Sequence, residues 1–301
     1  MSTIFSENSV DLKKIDMQAG RRAFLKSAGL LAAGAATIGL VGGTPNVAQA
    51  AVTDPDILNF ALNLEYLEAE FYLIAAFGRR LAAGDTTGTG TLGAVTGGKK
   101  VDFNSKLIKE YAQEIANDEE AHVKFLRSAL SSSAVARPDI NLNTSFTAAA
   151  RAAGLIKNNQ KFNAFANEDN FLLAAFIFED VGVTAYKGAA RLISNPDILE
   201  AAAGLLAVEA YHAGEIRTLL ASKGFFDQAR AISDARDSLD GDTQVDQGIG
   251  NKNKVNIVPT DANGLAFSRT PDQVLNVVYL GAEPSNASFF PSGVNGTIGS
   301  A

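Results

Sequence analysis

The chain contains two histidines, His122 and His212, and each follows a glutamate by three residues. The two stretches are Glu119-Glu120-Ala121-His122 and Glu209-Ala210-Tyr211-His212. Glutamate is roughly one residue in twenty of an average chain, so accident gives both histidines this spacing only about a few times in a thousand. Residues three apart share a helix face, so each carboxylate and its imidazole converge on one point. Two further stretches carry a second echo. Glu65 precedes Tyr72 by seven residues and Glu179 precedes Tyr186 by seven. Seven residues are close to two helical turns, so these pairs also share faces.

The neighbours of these acids are apolar. Glu119 and His122 share a stripe with Ala112, Ile115 and Leu126, while Glu209 and His212 share one with Leu205, Ile216 and Leu219. Glu179 sits among Leu172, Ala175, Phe176 and Val183, and Glu65 among Leu58, Leu62 and Ala69. Glu68 is the alternative acid on the first helix, on a stripe with Ile57, Ala61, Leu64 and Phe71. Glu70 and Glu120 have polar or mixed neighbours and are expected in solvent. Tyr111 and Tyr211 are expected to be structural. An isolated buried carboxylate costs several kcal/mol or changes its protonation state, so four together demand positive charge. The stripes carry no Lys or Arg. Metal ions answer the demand, and mixed Glu/His ligation suits iron or manganese.

Four long helices must position these side chains. The first runs from about Ile57 to Ala83, with Asp54 as N-cap and Pro55 at its first position. The second runs from about Asn104 to Leu130, and the third from Glu168 to Ile193. Asn195-Pro196-Asp197 caps and starts the fourth, which ends near Ser222-Lys223-Gly224. The connections are moderate, long and short, with a short helix near Phe146–Ala153 in the long one. This predicts an all-α fold of two antiparallel hairpins joined by a crossover. At 1.5 Å per residue, each hairpin brings its two acids to within roughly 5 Å in height. Residues 225–301 are rich in Asp, Asn, Gly and Ser, with one short helix from Thr270-Pro271-Asp272 to Tyr279. The rest of this extension is expected to wrap the bundle irregularly. Asp237, Asp240 and Asp242 lack ordered calcium-loop spacing and read as a solvated loop.

One Glu from each of two helices, with Glu-x-x-His from each of the other two, resembles the ferritin-like dimetal carboxylate pattern. The stretch Leu62-Asn63-Leu64-Glu65-Tyr66-Leu67-Glu68-Ala69-Glu70-Phe71-Tyr72 is similar to the ferritin-like family that includes plant desiccation-related proteins and exported bacterial relatives. So are Val258-Pro259-Thr260-Asp261, Phe267-Ser268-Arg269-Thr270-Pro271 and Val274-Leu275. The resemblance covers most of 54–290 and implies a ferritin-like four-helix bundle over 51–224. It also implies roles: Glu119 and Glu209 bridging two ions, Glu65 and Glu179 as terminal ligands, His122 and His212 binding one ion each. Tyr72 and Tyr186 match positions beside the metals. The cofactor expected is two iron or manganese ions per chain.

Composition narrows the function. The 301 residues carry a net charge of -7 and no basic cluster, which argues against nucleic acid. There is no cysteine, so disulfides, thiolate nucleophiles and a lipid-modified cysteine anchor are excluded. Residues 1–50 read as a twin-arginine signal peptide. Arg21-Arg22-Ala23-Phe24-Leu25-Lys26 precedes an apolar run from Ser27 to Val41 and a small-x-small site at Ala48-Gln49-Ala50. That run of 15 residues is shorter than the roughly 20 needed to cross a bilayer, so no stable membrane anchor is expected. The partner in export would be the twin-arginine translocase, with cleavage after about Ala50 and a periplasmic or extracellular destination. Both methionines, Met1 and Met17, lie in the leader, and loss of the leader's +2 brings the remainder to -9. Three functions follow: a redox enzyme of ferroxidase or peroxide-consuming type, a metal-holding stress protein, or a structural protein stapled by its metals. Small oxidants, oxygen or peroxide, are the expected substrates, and a homo-oligomer is compatible.

Overall fold

A computed structural model describes residues 52–241 and 244–299. The expected leader and Asp242 lie outside the described residues. Four long helices form the frame: α1 Asp54–Phe77, α2 Lys106–Leu130, α4 Glu168–Ala190 and α5 Pro196–Ser222. The crossover carries α3, Thr144–Ala152, as the apolar spacing around Phe146 foretold. Helix α1 packs along α2 and α4 along α5, giving the two hairpins. The fold is a mostly helical bundle with a few short strands.

Local chemistry sets each helix. The capping side chain of α1 is Thr53 rather than Asp54, in a reciprocal box with Asp56. Asp54 instead accepts hydrogen bonds from the Ser194 and Asn195 amides at 2.8 and 2.9 Å, tying the start of α1 to the turn between α4 and α5. Helix α1 stops at Phe77, six residues before the expected end, because Gly78 takes a left-handed φ of 72° and closes the last turn. Ser105, Asn167 and Asn195 cap α2, α4 and α5 through their side chains, and Pro196 opens α5 as expected.

The helices divide into two kinds. Helices α2 and α5 bury one face and expose the other. Helices α1 and α4 are buried nearly all round. The segments between and after the helices supply the missing cover. The loop after α1 and the crossover are stitched by a parallel pair, β1 Val95–Gly97 on β2 Ile140–Leu142, in the register Val95–Ile140. From this crossover Arg137 reaches Glu70 on α1, whose side chain is 0% exposed. Glu70 is therefore not solvated. Its partner lies 67 residues away, beyond the reach of local spacing.

The C-terminal segment is more ordered than its composition suggested. It forms α6 Phe226–Asp237, a two-residue antiparallel ladder of β3 Gly250–Asn251 with β4 Lys254–Val255, and α7 Pro271–Tyr279. Thr270 and Gln273 make a capping box at the start of α7. The helix α6 was not anticipated; it takes in Asp237, and Asp240 just beyond it is not solvated. Asp240 is 3% exposed and accepts from Arg269 Nε at 2.7 Å. Arg269 also meets Asp246 at 2.8 Å, Arg236 bridges Asp246 and Asp180, and Arg217 holds Asp180 at 2.7 Å. Three guanidinium groups and three carboxylates thus form a buried ionic lattice between α4, α5 and the extension. Gly188 permits the crossing: a Cβ there would overlap the Arg269 carbonyl, while the Arg269 amide donates to Thr184 O at 2.9 Å. Among the described residues, no helix is long and apolar enough to cross a membrane.

Candidate metal centre

The antiparallel hairpins bring the acids level. Glu65 lies 12 residues before the end of α1 and Glu119 lies 13 after the start of α2. All six residues singled out by spacing meet in the middle of the bundle. Glu65, Glu119, His122 and Glu209 form one group, and Glu119, Glu179 and His212 a second; within each, ligand-type atoms lie within 4.8 Å of one another. Glu119 belongs to both.

Glu119 faces the two imidazoles with different oxygens. Its Oε2 is 3.6 Å from His122 Nδ1 and its Oε1 is 3.2 Å from His212 Nδ1. His122 Nδ1 is also 3.2 Å from Glu65 Oε2 and 3.7 Å from Glu209 Oε1. His212 Nδ1 is 3.6 Å from Glu179 Oε2. The imidazole centroids are 6.3 Å apart. The tyrosines cross over. The Tyr72 hydroxyl, on α1, donates to Glu179 on α4, and the Tyr186 hydroxyl, on α4, donates to Glu65 on α1. Each outer carboxylate is thus held through Oε1, leaving Oε2 toward the histidine.

Several buried atoms here have no hydrogen-bond partner among the described residues: both oxygens of Glu119 and of Glu209, Glu179 Oε2 and His212 Nδ1. Buried polar atoms are nearly always paired, and six orphans converging at one place fit a cation-binding role. The donor set of hard oxygens and two imidazole nitrogens fits iron or manganese. This buried carboxylate and histidine cluster is a candidate metal site.

Electrostatics carry the same message. Burial pushes Glu65 up to about 7 against the pull of His122, and Glu179 up to about 8 against that of His212. Glu209 is driven well above the usual carboxylate range by burial and by Glu68 and Glu119. Burial alone would raise Glu119 too, but the imidazoles of His122 and His212 close on either side hold it low. Burial would depress His122, yet Glu65 and Glu119 lift it to about 11; Asp118 and Glu119 likewise lift His212 to about 10. The cluster by itself therefore holds protons on its histidines and outer carboxylates.

Two participants escaped the sequence reading. Asp118 Oδ2 is 3.2 Å from His212 Nε2, so it orients the ring whose Nδ1 faces the centre. Only the pairing of α2 with α5 reveals this, although Asp118 directly precedes Glu119. Gly182 on α4 is the other: a Cβ there would sit 3.0 Å from Glu209 Cδ and overlap its Oε2. Glu68, the alternative to Glu65, is buried at 5% exposure and belongs to neither ligand group. Burial and the charges of Glu119, Glu179 and Glu65 drive its pKa well up. Glu120 lies at the surface in ion pairs with Arg79 and Lys124 at 2.7 and 3.2 Å. Tyr111 packs on the core, whereas Tyr211 is 73% exposed and supports no packing. A cavity of about 90 Å³ bordered by Val183, Ala213, Phe267 and Arg269 lies beside the ionic lattice and includes none of the six cluster residues.

A family model described as ferritin-like domain matches residues 53–222. The chain is 31% identical over 271 residues to desiccation-related protein PCC13-62 of Craterostigma plantagineum, covering 81% of this chain and 83% of the relative. It is 28% identical over 272 residues to ferritin-like catalase Nec2 of Nesocodon mauritianus, covering 81% and 84%. No solved structure matches the chain significantly.

Proposed function

We propose, for a chain that belongs to the ferritin-like domain family, that the cluster holds two iron or manganese ions and that the protein consumes small oxidants as a stress-protective enzyme. The observation that carries this reading is Glu119, set between two histidines with neither oxygen hydrogen-bonded. Two ions, once bound, would supply one electron each, reducing dioxygen with two protons to hydrogen peroxide with added ferrous iron as the electron source, or reducing one peroxide with two protons to two waters while a second peroxide returns two electrons and two protons and leaves as dioxygen. The similarity to a ferritin-like catalase supports the peroxide branch, and ferroxidase activity is the dioxygen branch.

The chain's own residues have separable tasks. Glu65, Glu119 and Glu209 with His122 would hold one ion; Glu119 and Glu179 with His212 would hold the other. Tyr72 and Tyr186 fix the outer carboxylates and place hydroxyl protons next to the centre. Asp118 sets the His212 tautomer so that Nδ1 presents a lone pair. The buried wall of α1 and α4 excludes bulk water. Export through the twin-arginine route in folded, metal-loaded form is part of the same reading, and it rests on Arg21-Arg22 and the run that follows.

A second reading is metal holding without turnover, favoured by the similarity to a desiccation-related protein. Elemental analysis after gentle purification tests the common premise, with about two ions per chain expected. Oxygen release from peroxide and oxidation of added ferrous iron then separate the branches. Replacing His122 and His212 together by Ala should abolish metal and either activity while helix content stays. A folded chain that takes up neither metal removes both readings.

A further inference from the structure

Glu68 is the buried acid that the centre does not use. It is 5% exposed and lies among the charges of Glu119, Glu179 and Glu65. With Gly182 it borders a cavity of about 20 Å³ whose other walls, among them Leu64, Leu67, Val181, Val278 and Phe289, are hydrocarbon or aromatic. Gly182 is also the residue against whose backbone the Glu209 carboxylate packs. Gly182 thus borders the cavity on one side and meets Glu209 of the cluster on another.

The cavity does not stand alone. A second one, of about 30 Å³, lies beside it between α3, α4, α6 and α7, bordered by Ala149, Leu155, Phe162 and Leu280, with Arg236 its one charged wall. Ile177 and Val277 line both. Ala152, exposed at the surface, lines the outer one. Two largely apolar chambers thus lie side by side, one reaching exposed Ala152 and the other reaching Glu68.

We propose that these chambers are the entry path of an uncharged, diatomic oxidant, dioxygen, with Glu68 and Gly182 at its inner mouth. The physical ground is desolvation. Hydrogen peroxide or an ion would leave its water hydrogen bonds at the rim and find almost none along these walls, whereas dioxygen has none to lose. Each chamber holds about one small molecule, since a single water needs about 10–15 Å³ by this measure. The proposal rests on the oxidant-consuming reading of the same centre and selects dioxygen as its substrate. It also gives the extension a task, because Val277 and Val278 of α7 form part of the passage.

Xenon is the probe for the chambers themselves, since apolar cavities bind it without metal or turnover. Crystals of the full chain under xenon pressure should show it in both chambers, and Val277→Phe, or Ile177→Phe should that variant fold poorly, should displace it. In the iron-loaded, reduced protein either variant should raise the dioxygen concentration giving half-maximal oxidation about tenfold. Metal content and oxidation by hydrogen peroxide should stay as in the parent. Chambers without xenon, or unchanged dioxygen dependence in a variant that displaces xenon, overturn the proposal. A chain that takes up no metal sinks the reading beneath it, which metal analysis shows before any oxidant is added.

Discussion

The Tyr72 hydroxyl donates its hydrogen bond to Glu179 on the opposite hairpin, not to a carboxylate of its own helix. Tyr186 returns the exchange to Glu65, so the two halves of the bundle hold each other's outer carboxylates. Removing one hydroxyl leaves a buried carboxylate oxygen without its orienting partner. Partners of ligands typically contribute about 10–100-fold to metal affinity. Tyr72→Phe should therefore weaken the binding of one ion about tenfold or more and leave helix content unchanged. Metal titration followed by circular dichroism measures both, and parent-like affinity would show that the crossed hydroxyls do not position the ligands.

Protons and cations compete for the same atoms. His122 near 11 and His212 near 10 must release protons before Nδ1 can bind a metal, and Glu65 near 7 and Glu179 near 8 must ionise. Binding selects the deprotonated forms, so apparent affinity should rise steadily from pH 6 to pH 9, with protons released. Calorimetry in buffers of different ionisation enthalpy counts them. Affinity independent of pH would mean that the imidazoles are not ligands.

Metal-free protein should respond to pH in the opposite way. A glutamate with its folded pKa raised to 7 or 8 binds more protons folded than unfolded, so stability falls as pH climbs from about 4.5 through 8. The raised histidines act in the same direction: their contribution is complete below 6.5 and is lost as pH rises through 10 and 11. The melting temperature of the metal-free chain should therefore drop between pH 5 and pH 8, and loading with metal should remove most of that drop. A flat profile would mean these groups titrate as though unfolded.

Gly182 should tolerate no side chain. A methyl group overlaps the Glu209 carboxylate, which has no hydrogen bond to give up but no free space either. Gly182→Ala should lower the bound metal below two ions per chain, although alanine is the better helix former by about 1 kcal/mol. Elemental analysis with thermal melting separates the two effects; full metal occupancy would contradict the close approach.

The ionic lattice makes a prediction about stability alone. Arg269 is fully buried between Asp240 and Asp246, and removing one partner of a buried pair destabilises by about 3–5 kcal/mol. Arg269→Met should show a loss of that order in urea unfolding. A loss below about 1 kcal/mol would mean that water replaces the guanidinium.

The site was more legible than its surroundings. The clustered side chains project from helices, so Glu119-x-x-His122 and its counterpart wrote their convergence into fixed local spacing, as did Glu65 and Glu179 with their tyrosines. Asp118 and Gly182 were hidden because each acts on a residue from another helix, through a distance that no local pattern encodes. The same reason hid Glu70 and Asp240: their arginines lie 67 and 29 positions away, and alone each acid reads as a surface residue. Helix α6 was obscured by its composition, since seven of the twelve residues of Phe226–Asp237 are polar and its buried positions, Ala229, Ile232, Ser233 and Arg236, include two polar residues. The early end of α1 turned on Gly78, a single residue in an otherwise continuous pattern.

Helices α1 and α4 have almost no wet side, and that constrains their descent. On α2 and α5 the outward half of every turn can drift freely over generations. On α1 and α4 nearly every position faces a neighbour, so change there must come as matched exchanges of volume or not at all. Lineages of this protein should keep those two segments nearly fixed while the outer pair diverges, and the rods that carry the tyrosines would be the last to lose their ancestry.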